Sequence, residues 1–137
     1  MKVQESAENY LETILILQRR IGAVRSIDIA NELEYSKPSV SVAMRHLREQ
    51  ELISVDGSGY ITLLPKGQMI AERIFERHEM ITAWLVNMGV SREIAAEDAC
   101  RIEHVISEES FQALKHHAER WKQKESQSLD KGHNTLL

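Results

Sequence analysis

Cysteine is almost absent from the chain: of 137 residues only Cys100 is one. A single thiol excludes an internal disulfide and suits a reducing cytoplasm. Proline and glycine are also scarce, at two and six residues, as in an ordinary soluble, folded chain. No long hydrophobic run is present, because charges interrupt the apolar stretches every few residues, and this excludes a transmembrane span. The first ten residues, MKVQESAENY, lack the basic-then-apolar order of a signal peptide. The expected location is therefore cytoplasmic. An excess of positive charge is missing too. The net charge of −4 argues mildly against nucleic acid as a partner, but its distribution matters more than its sum. Lys37, Arg45 and Arg48 cluster in one short segment, whereas acid concentrates around residues 93–109, which suits cations rather than phosphates.

With 42% hydrophobic and 28% charged residues, the chain can bury a core in one or two small domains. There is no internal repeat and no low-complexity segment. Residues 5–21 predict a helix whose stripe is Tyr10, Ile14, Leu17 and Ile21, with Leu11 and Leu15 beside it. Gly22 ends it. Ser26 is the expected N-cap of a second helix over 27–34 that buries Ile27, Ile29, Ala30 and Leu33. Ser36 caps a third helix over 37–50, and Pro38 in its first turn removes no needed hydrogen bond. Val40, Ala43, Met44 and Leu47 point inward from it.

The period then changes. Leu52, Ile53 and Val55, then Tyr60, Ile61 and Leu63, flank Asp56-Gly57-Ser58-Gly59, the mark of a β-hairpin. Three helices followed by a hairpin is the order of a winged helix-turn-helix. A long helix over 66–88, opened by Pro65 or Lys66 and ended by Gly89, carries more apolar surface than solvent alone would allow, so part of it is expected to meet a partner chain. Ser91 caps a helix to Ile106, and Ser107 starts another through Lys122. The fold class expected is mainly α. An N-terminal winged helix-turn-helix with a β-hairpin wing occupies 1–64, a helical dimerisation and metal-binding domain 65–122, and a polar, fraying tail 123–137.

In such a module the third helix enters the major groove. Ser36, Ser39 and Ser41 stand where they reach base edges or phosphates, and Lys37, Arg45 and Arg48 supply the electrostatic attraction. Pro38 lies in the same first turn. In the wing, Ser58 and Tyr60 are placed to touch the DNA backbone or minor groove. Taken singly these residues read as a solvated helix face and a surface turn. Their ordered combination points to double-stranded DNA.

The most informative stretch is Cys100-Arg101-Ile102-Glu103-His104. On a helix, positions 100, 103 and 104 share one face, so a thiol, a carboxylate and an imidazole converge. That set suits Fe²⁺, Mn²⁺, Co²⁺, Ni²⁺ or Zn²⁺ and hardly suits Mg²⁺ or Ca²⁺. The competing reading is a buried cysteine beside a solvated Glu-His pair. His78, mid-way along the long helix, and Asn9 with Glu12, three apart on the first, are further candidates, although each alone reads as surface or core. His46, His116 and His117 have no ligand company.

At this point the chain resembles the metal-dependent repressors of the diphtheria toxin repressor and manganese transport regulator type, over residues 5 to about 120. The resemblance rests on ENYLETI at 8–14, DIANEL at 28–33, KPSVS at 37–41, ERHEMITAWL at 76–85 and EDACRIEHVIS at 97–107. It implies a homodimer that binds operator DNA when loaded with Fe²⁺ or Mn²⁺, shuts off metal-uptake genes and is not an enzyme. By position it implies the ligand set Asn9, Glu12, His78, Cys100, Glu103 and His104. It also implies the short form without an SH3-like domain, with the long helix supplying much of the dimer interface. The set is a hybrid. Asn9 stands where the iron type has Met and the manganese type Asp. Cys100 follows the iron type, Glu12 and His78 the manganese type, and Thr82 and Ala96 replace the ancillary ligands of the iron type. The thiolate leans the expectation toward Fe²⁺.

The switch implied is electrostatic. Without metal, Glu12, Glu103 and an ionised Cys100 repel one another; a cation reverses the repulsion and fixes the spread of the two reading helices, a coupling of about 1–3 kcal/mol. Two rival readings stay open: a metal-independent winged-helix regulator that senses a small molecule, and a small metalloenzyme with Glu103 as base.

Overall fold

A computed structural model of the chain describes the backbone of residues 5–135 and the side chains of residues 5–124. Its elements are α1 (Glu5–Ile21), α2 (Ser26–Leu33), α3 (Lys37–Glu49), β1 (Ile53–Val55), β2 (Ile61–Leu63), α4 (Pro65–Asn87), α5 (Arg92–Val105) and α6 (Glu108–Thr135). The fold is mainly helical with one two-stranded antiparallel sheet, as expected. Two compact units divide the chain, Met1–Glu76 and Arg77–Leu137, so the cut falls inside α4. Among the described residues, no helix is long and apolar enough to cross a membrane.

The first unit is built on apolar packing. Leu11, Ile14, Leu15 and Leu17 of α1 meet Ile29 and Ala30 of α2, Val40, Met44 and Leu47 of α3, and Leu52, Ile53, Ile61 and Leu63 of the hairpin. Strands β1 and β2 pair in the register Ile53–Leu63, Ser54–Thr62, Val55–Ile61. The Asp56 carboxylate accepts the N–H groups of Ser58 and Tyr60, each at 2.9 Å, which closes the loop. Gly59 takes φ +87° there, a conformation that favours glycine. Gly67 answers to a different demand: a Cβ on it would lie 2.0 Å from the Leu52 carbonyl oxygen, so only glycine lets the start of α4 seat against the hairpin.

Three local expectations are corrected. Ile21 and Ile27 face solvent rather than the core, at 50% and 38% exposure. Ile21 is the last residue of α1 and Ile27 lies in the first turn of α2, where the buried stripe has not yet closed over the helix. Ser26 is not the cap of α2 but lies inside it. Arg25 is the N-cap, and its N–H is accepted by the Asp28 carboxylate at 2.8 Å, the reciprocal half of a capping box. Finally, the last helix is not confined to residues up to Lys122, since α6 runs on to Thr135. Residues 123–131 hold no proline and many good helix formers, and Gly132 alone costs only about 1 kcal/mol. Of the expected tail, residues 136–137 lie outside the described residues.

In the second unit the end of α4 stops at Gly89, which takes φ +102°. Ser91 caps α5 by accepting the Ile94 N–H at 3.4 Å. Ser107 accepts the Ser110 N–H at 3.1 Å at the start of α6. Ile81, Ala95, Ala99 and Phe111 are buried here, and so are the polar Arg77, Thr82 and Glu103.

Candidate nucleic-acid interface and metal centre

Helix α3 presents a polar face whose start is held by its own cap. The Ser36 hydroxyl accepts the Ser39 N–H at 3.3 Å and donates to the Ser39 hydroxyl at 2.8 Å. Lys37, Pro38, Ser39, Ser41, Arg45 and Arg48 are all exposed beside it. A shallow cavity of about 200 Å³, lined by Ser26, Ile27, Lys37 and Ser41, opens between the first turns of α2 and α3. Sequence reasoning missed Val42, an exposed apolar residue among these polar ones.

It also missed what holds the wing. The guanidinium of Arg25 donates through Nε to the Ser58 carbonyl at 3.0 Å and through a second nitrogen to the same oxygen. It lies 4.8 Å from the centre of the Tyr60 ring. Next to it the Ile61 N–H donates to the Val24 carbonyl at 2.8 Å, extending the hairpin by a bridge. Ser58 and Tyr60, expected at the wing, are exposed there and tied to Arg25. No signal in the sequence pointed to it.

The metal candidates of the second unit converge. On α4 the Nδ1 of His78 lies 2.9 Å from Oε2 of Glu103 on α5, and 3.8 Å from the Cys100 sulfur one turn earlier. One donor atom from each of the three residues falls within 4.8 Å of the others. Glu103 has no solvent exposure at all, Cys100 is exposed, and His78 lies between them in burial. Oε1 of Glu103 makes no hydrogen bond and lies 3.4 Å from Nε2 of His104, whose side chain is only 3% exposed. The structure thus gathers His78, Cys100 and Glu103 into one cluster, while His104 stands outside it, against the other oxygen of Glu103.

A buried carboxylate costs several kcal/mol unless compensated, and here its neighbours provide the compensation. The Cys100 sulfur, and then the Glu103 carboxylate, push the imidazole of His78 up to about 10 against the opposing effect of burial. Proton and metal are alternative occupants of such a site. One nitrogen, one sulfur and a buried carboxylate whose second oxygen accepts no hydrogen bond form a donor set that fits a divalent transition ion.

Asn9 and Glu12 stand on α1 in the first unit, Asn9 half-buried and Glu12 buried. The Asn9 carbonyl accepts the Thr13 hydroxyl at 2.8 Å. His46, His116 and His117 are exposed, in keeping with the surface role expected of them.

Behind the cluster lies a residue that sequence reasoning passed over. Arg77 is buried, donates to the Glu103 carbonyl at 3.1 Å and the Ile106 carbonyl at 2.9 Å, and pairs with the Glu108 carboxylate at 2.7 Å. Its guanidinium carbon sits 5.3 Å from the centre of the Phe111 ring. A basic residue next to a candidate ligand was the only available signal.

Known proteins share both halves of this arrangement. The iron-dependent repressor N-terminal DNA-binding domain matches residues 2–60, and the iron-dependent repressor metal-binding and dimerisation domain matches residues 64–127. The transcriptional regulator MntR of Escherichia coli is 34% identical over 112 residues, 82% of this chain and 72% of that protein. Among solved structures, the manganese regulator SloR superposes with TM-score 0.74 at 26% identity, covering 87% of this chain and 55% of that one. IdeR of T. acidophilum superposes with TM-score 0.73 at 28% identity, covering 85% and 55%. The chain thus spans about half the length of these two solved proteins. By its sequence, its winged helix and its helical second domain, the chain belongs to the iron-dependent repressor and MntR family of metal-dependent transcriptional regulators.

Proposed function

We propose that this chain is a cytoplasmic repressor that, as a homodimer loaded with Fe²⁺ or Mn²⁺, binds operator DNA and controls metal-homeostasis genes. The observation that carries the reading is the convergence of His78, Cys100 and Glu103 around a fully buried carboxylate. His78 Nδ1, the Cys100 sulfur and the Glu103 carboxylate hold the ion, with His104 against the second oxygen of Glu103. The resemblance supplies Glu12 and Asn9 as further donors, and that part of the proposal rests on sequence alone. When bound, the ion supplies positive charge that gathers these ligands and replaces a proton. The thiolate is the softest donor and favours Fe²⁺ over Mn²⁺.

The residues of the first unit divide by task. Lys37, Arg45 and Arg48 neutralise phosphates, and the first turn of α3 with Ser36, Pro38, Ser39 and Ser41 approaches bases and backbone. Ser58 and Tyr60 carry the wing contact. Dimerisation sets two reading helices one or more DNA turns apart. Met69 on α4 and Met88 just after its end, 72% and 57% exposed, are apolar surface suited to a partner chain. The role is regulatory rather than enzymatic, in keeping with the family.

The experiment is operator binding, at fixed salt and without oxygen, across Mn²⁺, Fe²⁺, Co²⁺, Ni²⁺ and Zn²⁺, with metal stoichiometry measured alongside. Metal-dependent binding that is lost in Cys100→Ala and His78→Ala is expected. Binding with the same affinity in chelator and in every metal would overturn the reading in favour of a metal-independent regulator.

A further inference from the structure

Helix α5 ends within three residues of Glu103, and this raises the question of what fixes the backbone there. The last turn of a helix leaves its carbonyl groups without intrahelical partners. At Val105 the helix stops, Ile106 turns to an extended backbone (φ −71°, ψ 136°), and α6 begins at Glu108. The Glu103 and Ile106 carbonyls both point at one side chain from another helix, the guanidinium of Arg77, at 3.1 and 2.9 Å. The other terminal nitrogen of the same group pairs with the Glu108 carboxylate at 2.7 Å, and the guanidinium carbon lies 5.3 Å from the centre of the Phe111 ring. A fixed cation at a helix C-terminus also complements the helix dipole.

We infer that Arg77 is a positioning residue of the metal centre. It binds the main chain of Glu103, and so sets where the buried Glu103 carboxylate stands relative to His78, its own neighbour on α4. This inference rests on the ligand reading given above. Two features separate positioning from mere support. One residue, Glu103, is at once the clamp's acceptor through its carbonyl and the buried donor through its carboxylate. And the clamp needs the planar fork of arginine, because three acceptors in different directions share one guanidinium; the compact ammonium of lysine does not reproduce that pattern.

Co²⁺ is the probe, titrated into the full chain without oxygen, with the d–d and sulfur-to-cobalt charge-transfer bands recorded beside thermal unfolding of the metal-free protein. Wild type is expected to show the charge-transfer band, and His78→Ala to lose Co²⁺ binding. Arg77→Lys and Arg77→Gln should weaken Co²⁺ binding by about 10–100-fold, the usual cost of losing a residue that orients a ligand. Their d–d bands should shift in the fraction that remains folded. Glu108→Gln takes the negative charge from the outer anchor while leaving an oxygen that can still accept from Gln112; at a surface residue it is expected to keep the protein folded even if Arg77 variants do not. It should weaken Co²⁺ severalfold with a smaller shift of the same bands.

If folded Arg77→Lys and Glu108→Gln keep wild-type affinity and wild-type bands, the positioning role is wrong while the site stands. If wild type itself shows no charge-transfer band, the ligand reading fails and the inference goes with it.

Discussion

In the first unit the residues proposed to face DNA stand outside the core; in the second, Glu103 of the candidate metal cluster and the Arg77 behind it are buried within it. Leu11, Ile14, Val40, Leu52 and their neighbours close an apolar interior, and Lys37, Ser39, Ser41, Arg45 and Arg48 project from it into solvent. In the second unit Glu103 and Arg77 are buried, His104 is nearly so, and charge is compensated by charge or by carbonyl oxygen. Apolar packing is insensitive to the surface it displays, so a DNA-reading face can vary without loss of fold. A buried carboxylate has no such freedom. The buried groups around it are both structure and function, and a change in one of them is felt by the rest.

The contrast is broken most forcefully at Ile14, which is fully buried. Ile14→Ala should lower the unfolding free energy by about 2–5 kcal/mol through lost contacts and a cavity; a loss below 1 kcal/mol in urea would show the core to be looser than its burial implies. Next comes the metal unit. Cys100→Ala, on an exposed residue, should leave metal-free stability nearly unchanged yet weaken metal binding by more than about 100-fold, beyond the usual cost of losing an outer-shell group. Calorimetric titration measures the binding, and urea unfolding of the metal-free protein measures the stability.

A pH series sharpens the same contrast. The imidazole of His78 is raised to about 10, above its unfolded value of roughly 6.5, so the folded metal-free protein holds this proton more tightly than the unfolded chain does. The stability contributed by the pair is fully present below pH 6.5 and is lost as pH rises through 10. Because the ion must displace that proton, metal affinity should rise by at least about tenfold per pH unit between these values. A metal affinity independent of pH from 6.5 to 9 would contradict it. The smallest effects belong to the reading face. Ser36→Ala should cost about 1 kcal/mol through the lost cap of α3. Arg48→Ala should reduce the salt slope of DNA binding by about 0.9, equally for all duplexes; an effect confined to one sequence would instead make Arg48 a base-reading residue.

Much of the architecture was legible because it rests on near-neighbour rules. The helix over 5–21, the cap at Ser36, the hairpin around Asp56-Gly57-Ser58-Gly59 and the stop at Gly89 depend on residues within one or two turns of each other. The spacing of Cys100, Glu103 and His104 is of the same kind, since the helix alone puts them on one face. Where local rules were read too simply, they misled. Ser26 has the residue type of a cap, but Asp28 makes the capping bond to Arg25 instead, and polarity after Lys122 does not mark the end of the last helix, which runs to Thr135.

By itself, then, the sequence determined the order of elements, their capping and which residue types share a helix face, because a helix repeats every 3.6 residues whatever surrounds it. Tertiary structure alone decided that His78 meets Glu103 across 25 positions, that Arg25 holds the wing 33 positions away, and that Arg77 reaches the end of α5. Such pairings depend on how helices and turns pack, and no local pattern records that. The arginines were the least legible residues: in sequence they look like solvated charge, and only burial and a set of waiting carbonyl groups turn them into clamps.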